Sequence, residues 1–86
     1  MKVRYHKKFD KSIKKLSFKL QDKVIEAVEL FQKSPVNPVL KNHALKGNMA
    51  GRRSISVTGD MRIIFKEYDN YVLVIMLDVG THNQVY

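Results

Sequence analysis

The chain has no cysteine, so it offers neither a disulfide framework nor a thiolate zinc site, and its redox compartment is only weakly constrained. Long apolar runs are missing too. The longest, Tyr71 to Leu77, is far too short to span a bilayer, and MKVRYHKKFD at residues 1–10 lacks the apolar stretch of a signal peptide. A soluble cytoplasmic protein with no membrane association is the expectation. His6, His43 and His82 lack ligand spacing and have few carboxylates near them in sequence, so no metal and no cofactor is expected. There is no internal repeat and no low-complexity segment. With 86 residues there is room for one domain, 1–86. A chain of that size buries roughly 60 to 65% of the surface its unfolded form exposes.

Acidic residues are also few. Sixteen Lys and Arg stand against eight Asp and Glu, a formal charge of +8, which favours polyanionic partners. Residues 1–34 carry ten basic and four acidic residues (+6), and residues 35–86 carry six and four (+2). The excess sits in the first third. A solvated lysine-rich helix face and a nucleic-acid contact surface both account for it. An anionic lipid surface fits less well, since no basic helix is markedly amphipathic with exposed aromatics.

Hydrophobic spacing divides the chain into six elements. Val3 and Tyr5 alternate with Lys2 and Arg4, the pattern of a short strand over Lys2 to His6. Phe9, Ile13 and Leu16 recur at helical spacing, and Val24, Ala27, Val28 and Phe31 do so again, with Ile25 and Leu30 widening the stripe. Both stripes read as core. The only two prolines, Pro35 and Pro38, end the second helix, because proline lacks the amide proton and disfavours helix in the residue before it. Residues 34–50 read as a long connection. Arg53, Ile55 and Val57 alternate with Ser54 and Ser56 as a half-buried strand up to a turn at Thr58-Gly59, and Met61 to Lys66 is the next strand. Asp69-Asn70 suits a two-residue hairpin turn. Tyr71 to Val79, apolar on both faces apart from Asp78, reads as the central, doubly covered strand. The expected fold is α+β: a short N-terminal strand, a two-helix hairpin and three antiparallel strands, with the helices packed on one sheet face.

Chemistry-bearing residues gather late in the chain. The polar run Gly80-Thr81-His82-Asn83-Gln84 follows directly on an apolar strand, which places an imidazole at a sheet margin. Three segments in order, His43-Ala44-Leu45-Lys46-Gly47 with Gly51-Arg52-Arg53, then Gly59-Asp60-Met61-Arg62-Ile63-Ile64-Phe65, then Gly80 to Tyr86, resemble the RelE/ParE superfamily of bacterial type II toxins. Within that superfamily the chain is most similar to the YafQ-like ribonucleases. The basic helices and the three-stranded end fit as well.

The resemblance implies a toxin of a type II toxin–antitoxin system: an mRNA endoribonuclease acting in the ribosomal A site and halting translation, silenced by an acidic antitoxin. It also implies metal-free chemistry in which the 2′-hydroxyl attacks the adjacent phosphate. A base, an acid and a cation are then required. By resemblance His82 is the general acid, a role that suits an imidazole near neutrality. His43 is a base or phosphate contact, and Asp60 is an alternative base or the orienter of a histidine. Arg62 would stabilise the phosphorane with its planar fork, and Tyr86 could stack on a splayed base. Arg52, Arg53, Lys14, Lys15, Lys19 and Lys23 would meet RNA phosphates. Two positions depart from the group: Ser56 replaces a histidine and Met61 replaces an aromatic residue, which leaves the base open between His43 and Asp60. ParE-like members keep the fold but bind DNA gyrase without chemistry, and that is the alternative; a non-catalytic RNA-binding module leaves the Asp60, Arg62, His82 set unexplained.

Overall fold

Strand β1 (Lys2–Tyr5) lies parallel to β5 (Leu73–Thr81), with Lys2 opposite Leu73 and Tyr5 opposite Met76. Between them in sequence come helices α1 (Lys7–Lys14) and α2 (Phe18–Lys33), then β2 (His43–Ala44), β3 (Arg53–Ser56) and β4 (Met61–Tyr68). A helical turn, α3 (His82–Val85), follows β5. The computed structural model describes residues 1–86. The sheet has five strands in the order β1-β5-β4-β3-β2, antiparallel except for the β1–β5 pair. No helix is long and apolar enough to cross a membrane.

The helix hairpin is fastened at its corner. Ser17 caps α2 by accepting from the Leu20 amide at 3.2 Å. Gln21 donates at 3.1 Å to the carbonyls of both Ile13 and Leu16 at the end of α1, where Ile13 also accepts from the Leu16 amide. Phe9, Val24, Ala27, Val28 and Phe31 then meet Ile55, Met61, Ile63, Phe65, Val74, Met76 and Val79 of one sheet face. Phe31 and Phe65 pack edge to face at 4.8 Å, a geometry worth about 0.5–1.5 kcal/mol beyond burial. Ile25 departs from the expected stripe and is half exposed, because it sits one position (about 100°) round the helix from Val24 and opens into a groove beside Tyr5, Phe9 and Ile13. In that groove partial burial, and behind it the Asp10 carboxylate, push the Tyr5 phenol up.

A bulge in β5 decides which side chains reach the second sheet face. Phe65 pairs with Met76 but Ile64 pairs with Asp78, so Leu77 is the extra residue. Met76 and Val79 can therefore both face the helices, while Asp78 and Gly80 face the other way. The apolar run read from sequence as covered on both faces is resolved by this kink.

Two local expectations are corrected. Residues 34–50 include β2, too short for any periodicity, which pairs with Arg53 and Ser54 and makes β4 rather than β5 the middle strand. The β4–β5 connection is longer than two residues: Asp69, Asn70 and Tyr71 all have positive φ (55°, 57° and 69°), and β5 begins at Leu73. For Asp and Asn that conformation is tolerated, whereas for tyrosine it is unfavourable. Tyr71 is held there by its amide bond to Glu67 (3.1 Å), by its phenol accepting from Asn42 (3.0 Å) and by ring packing on Phe31. Asp60 lies in the bend before β4 and not on the strand.

Candidate functional site

Strand pairing brings the candidate residues onto the sheet face opposite the Phe31–Phe65 core. His43 is opposite Ser54, Ser54 opposite Ile64 and Ile64 opposite Asp78; one step along, Ser56 is opposite Arg62 and Arg62 opposite Gly80. Directly paired residues project from the same side of a sheet. His43, Ser54, Ser56, Arg62, Asp78 and Gly80 thus share one face.

Helical turn α3 lies over that face. Gly80 makes room for it: a Cβ there would stand 2.8 Å from Gln84 Oε1 and 3.2 Å from Val85 Cγ1. Gln84 Oε1 in turn accepts from the Thr81 amide at 2.8 Å, which satisfies a donor at the helix start. The His82 amide donates to the Asp60 carbonyl at 3.0 Å and joins the turn to the β3–β4 bend. At its far end Tyr86 donates its phenol proton to Ser54 Oγ. The His82 and Tyr86 rings, one turn apart, meet edge to face at 4.4 Å.

Arg62 is fixed by backbone alone. Its guanidinium donates to the carbonyls of Thr58 (3.0 Å), Met61 (3.0 Å) and Gly59 (3.2 Å). Three of the five guanidinium donors are so engaged, and no carboxylate neutralises the charge. Carbonyl dipoles hold the cation in place. Asp60 is exposed and makes no side-chain hydrogen bond or ion pair, so Asp60, Arg62 and His82 are neighbours in the fold without direct side-chain bonds.

His43 is exposed on β2, and its Nδ1 lies 2.8 Å from the Lys41 carbonyl. A carbonyl can only accept, so Nδ1 carries the proton, and in the neutral ring Nε2 keeps its lone pair free for solvent or substrate.

The basic residues divide. Lys14, Lys15, Lys19 and Lys23 are all exposed on the helix hairpin, with Lys23 also 3.6 Å from Glu26. Lys15 shares a hollow of about 320 Å³ with Ser12, Gln84 and Val85, which connects the helices to the edge of α3. Arg52 lines a second hollow of about 230 Å³ with Lys8, Ile64, Leu77 and Asp78. Arg53 is not brought to this face: it pairs with Phe65, and its Nε donates to Asn42 Oδ1 at 2.9 Å. Asp78 is buried and engaged within the fold, accepting from the Ser12 hydroxyl (2.7 Å) and paired with Lys8 (3.4 Å), both on α1.

Ser54, Gly80 and Gln84 do not stand out as site residues in the sequence. A Thr-x-x-Gln capping pattern at Thr81 and the four-residue spacing of His82 and Tyr86 are the signals that mark this helical turn.

The family model described as a bacterial toxin of type II toxin–antitoxin system, YafQ, matches residues 1–86. No curated relative matches the sequence. Among solved structures, YafQ from E. coli aligns with a TM-score of 0.83 at 24% identity, covering 98% of this chain and 96% of that one. A YoeB/ParE toxin from Agrobacterium tumefaciens aligns with a TM-score of 0.78 at 18% identity, covering 95% and 99%. The E. coli DinJ-YafQ toxin-antitoxin complex aligns with a TM-score of 0.71 at 22% identity, covering 98% and 94%.

Proposed function

Since the chain belongs to the YafQ family of bacterial type II toxins, we propose that it is an endoribonuclease that cuts mRNA in the ribosomal A site and so stops translation. The observation that carries this reading is the 2.8 Å contact of His43 Nδ1 with the Lys41 carbonyl, which leaves Nε2 free, on the face where Arg62 and α3 also lie.

In this reading His43 Nε2 takes the proton of an RNA 2′-hydroxyl, and the oxygen attacks the adjacent phosphorus. The bond to the 5′ oxygen breaks, and that oxygen takes its proton from His82. The products are a 2′,3′-cyclic phosphate and a 5′-hydroxyl. Asp60, exposed and without a partner, is the second candidate for the base. Arg62, whose charge meets no carboxylate, stabilises the phosphorane through its two remaining donors. Tyr86 offers its half-exposed ring to an unstacked base. Lys14, Lys15, Lys19, Lys23 and Arg52 meet ribosomal and messenger phosphates, and they position the protein without reading sequence. Arg53 stays with Asn42 in the fold. The reaction so written uses no metal and no cofactor, and its target places the protein in the cytoplasm.

An excess of positive charge and a site that must be silenced favour a small acidic antitoxin as partner, in keeping with the E. coli relative solved in a toxin-antitoxin complex. Expression without such a partner is expected to arrest growth.

The decisive experiment is single-turnover cleavage of a defined mRNA on ribosomes, with end-group analysis. His82→Ala is expected to slow cleavage about 10² to 10⁴-fold with little loss of ribosome affinity. Products bearing a 5′-phosphate, or cleavage by His82→Ala at the parental rate, overturn the mechanism. An inert parent that inhibits gyrase moves the assignment to the ParE-like activity.

A further inference from the structure

Ser54 lies fully buried in β3, and its hydroxyl is bonded by the Tyr86 phenol, which crosses from α3 over β5 and β4 to reach it. A buried hydroxyl without a partner is costly, so the sheet holds the phenol in place. The Tyr86 ring in turn meets the His82 ring. His6 and His43 each have a ring nitrogen tied to the backbone, whereas the His82 ring is met by the Tyr86 ring at 4.4 Å and 85°. On its other side Ser54 is the cross-strand partner of His43. One hydroxyl is therefore bonded to the ring partner of His82 and lies cross-strand from His43, the two imidazoles that the proposed mechanism uses for opposite proton transfers.

We propose that Ser54 is a positioning residue which, through Tyr86, sets the orientation of the His82 ring and its spacing from His43. This rests on the reading of His82 as general acid. A displacement at phosphorus requires its base and acid at a fixed separation, and an error near 1 Å costs about 10²-fold. Without the latch α3 keeps its Gln84 cap and its bond to Asp60, but the His82 ring is no longer fixed in direction.

The test uses Ser54→Ala and Tyr86→Phe, each of which removes half of the hydrogen bond and keeps the ring. Each alone, and both together to the same extent, are expected to slow single-turnover cleavage about 10 to 10²-fold while the half-saturating ribosome concentration stays unchanged. A separate readout needs no activity. In NMR spectra of the free protein, the His82 ring-proton shifts, displaced in the parent by the Tyr86 ring, are expected to move toward those of a free histidine in both variants. Unchanged His82 resonances, or rate losses that add in the double variant, overturn the proposal. Resonances that respond in a protein that never cleaves RNA uphold the positioning role and remove the endoribonuclease reading. Should Ser54→Ala fail to fold, Tyr86→Phe decides alone, since its ring is half exposed.

Discussion

The His82 amide and the Asp60 carbonyl are joined at 3.0 Å, so the bend before β4 and the first turn of α3 move as one unit. Neither residue belongs to the sheet ladder proper. Their side chains leave adjacent points of backbone, and whatever shifts the bend also shifts the candidate acid.

Gly80→Ala tests the seat of α3. The new methyl group would lie 2.8 Å from Gln84 Oε1 and 3.2 Å from Val85 Cγ1, and the glutamine can yield only by giving up the Thr81 amide. A stability loss of about 1 kcal/mol, the worth of one hydrogen bond, is expected in urea unfolding. Cleavage is expected to fall by more than about tenfold, because His82, the proposed acid, moves with the helix. Equal loss in both measures would leave α3 with a structural role only.

Arg62 carries two duties that can be separated. Its bonds to Thr58, Gly59 and Met61 predict that Arg62→Ala lowers the melting temperature as well as the cleavage rate. The rate loss is expected to amount to about 3 kcal/mol of transition-state stabilisation, recovered only partly by Arg62→Lys, which lacks the planar fork. A lysine variant with full activity would mean that a point charge suffices.

Neutralising Lys14, Lys15, Lys19 and Lys23, all exposed on the hairpin, is expected to weaken ribosome binding. The dependence of affinity on salt should become shallower, by about one unit of slope for each phosphate that is no longer neutralised. Filter binding across a salt series measures both. An unchanged slope would mark the lysines as solvating groups.

Ser56 stands directly opposite Arg62, on the face proposed to bind RNA. Ser56→His places an imidazole there, and single-turnover cleavage is expected to accelerate if proton removal limits the parent. No gain would assign the base to His43 or Asp60 as it stands.

Much of this arrangement is legible in the order of the residues. Helical and alternating spacing marks α1, α2, β3 and β4 because those elements bury a repeated face, as Phe9, Val24, Phe31, Ile55 and Ile63 do, and marks β1 although only Val3 there is partly covered. Asp60, Arg62 and His82 stand out through the order of their motifs. What escapes is small or non-local. Two residues of β2 show no period, the bulge at Leu77 reads as an unbroken apolar run, and the three positive φ values after Tyr68 depend on Asn42 and Glu67 gripping Tyr71. The bond from Tyr86 to Ser54 joins residues with no sequence relation, and no pattern announces it. Arg53 looks like its neighbour Arg52, but strand alternation sends its side chain to the opposite face.

Parallel pairing of β1 with β5 has a consequence for the order of events during synthesis. Lys2 to Tyr5 are made early, yet their sheet neighbours are Leu73 to Met76, and pairings so distant in sequence form slowly and late. Until β5 inserts between β1 and β4, the sheet is in two pieces and α3 has nothing to lie on. The face that carries Arg62, Gly80 and α3 comes into being only after residues through Thr81 have been delivered.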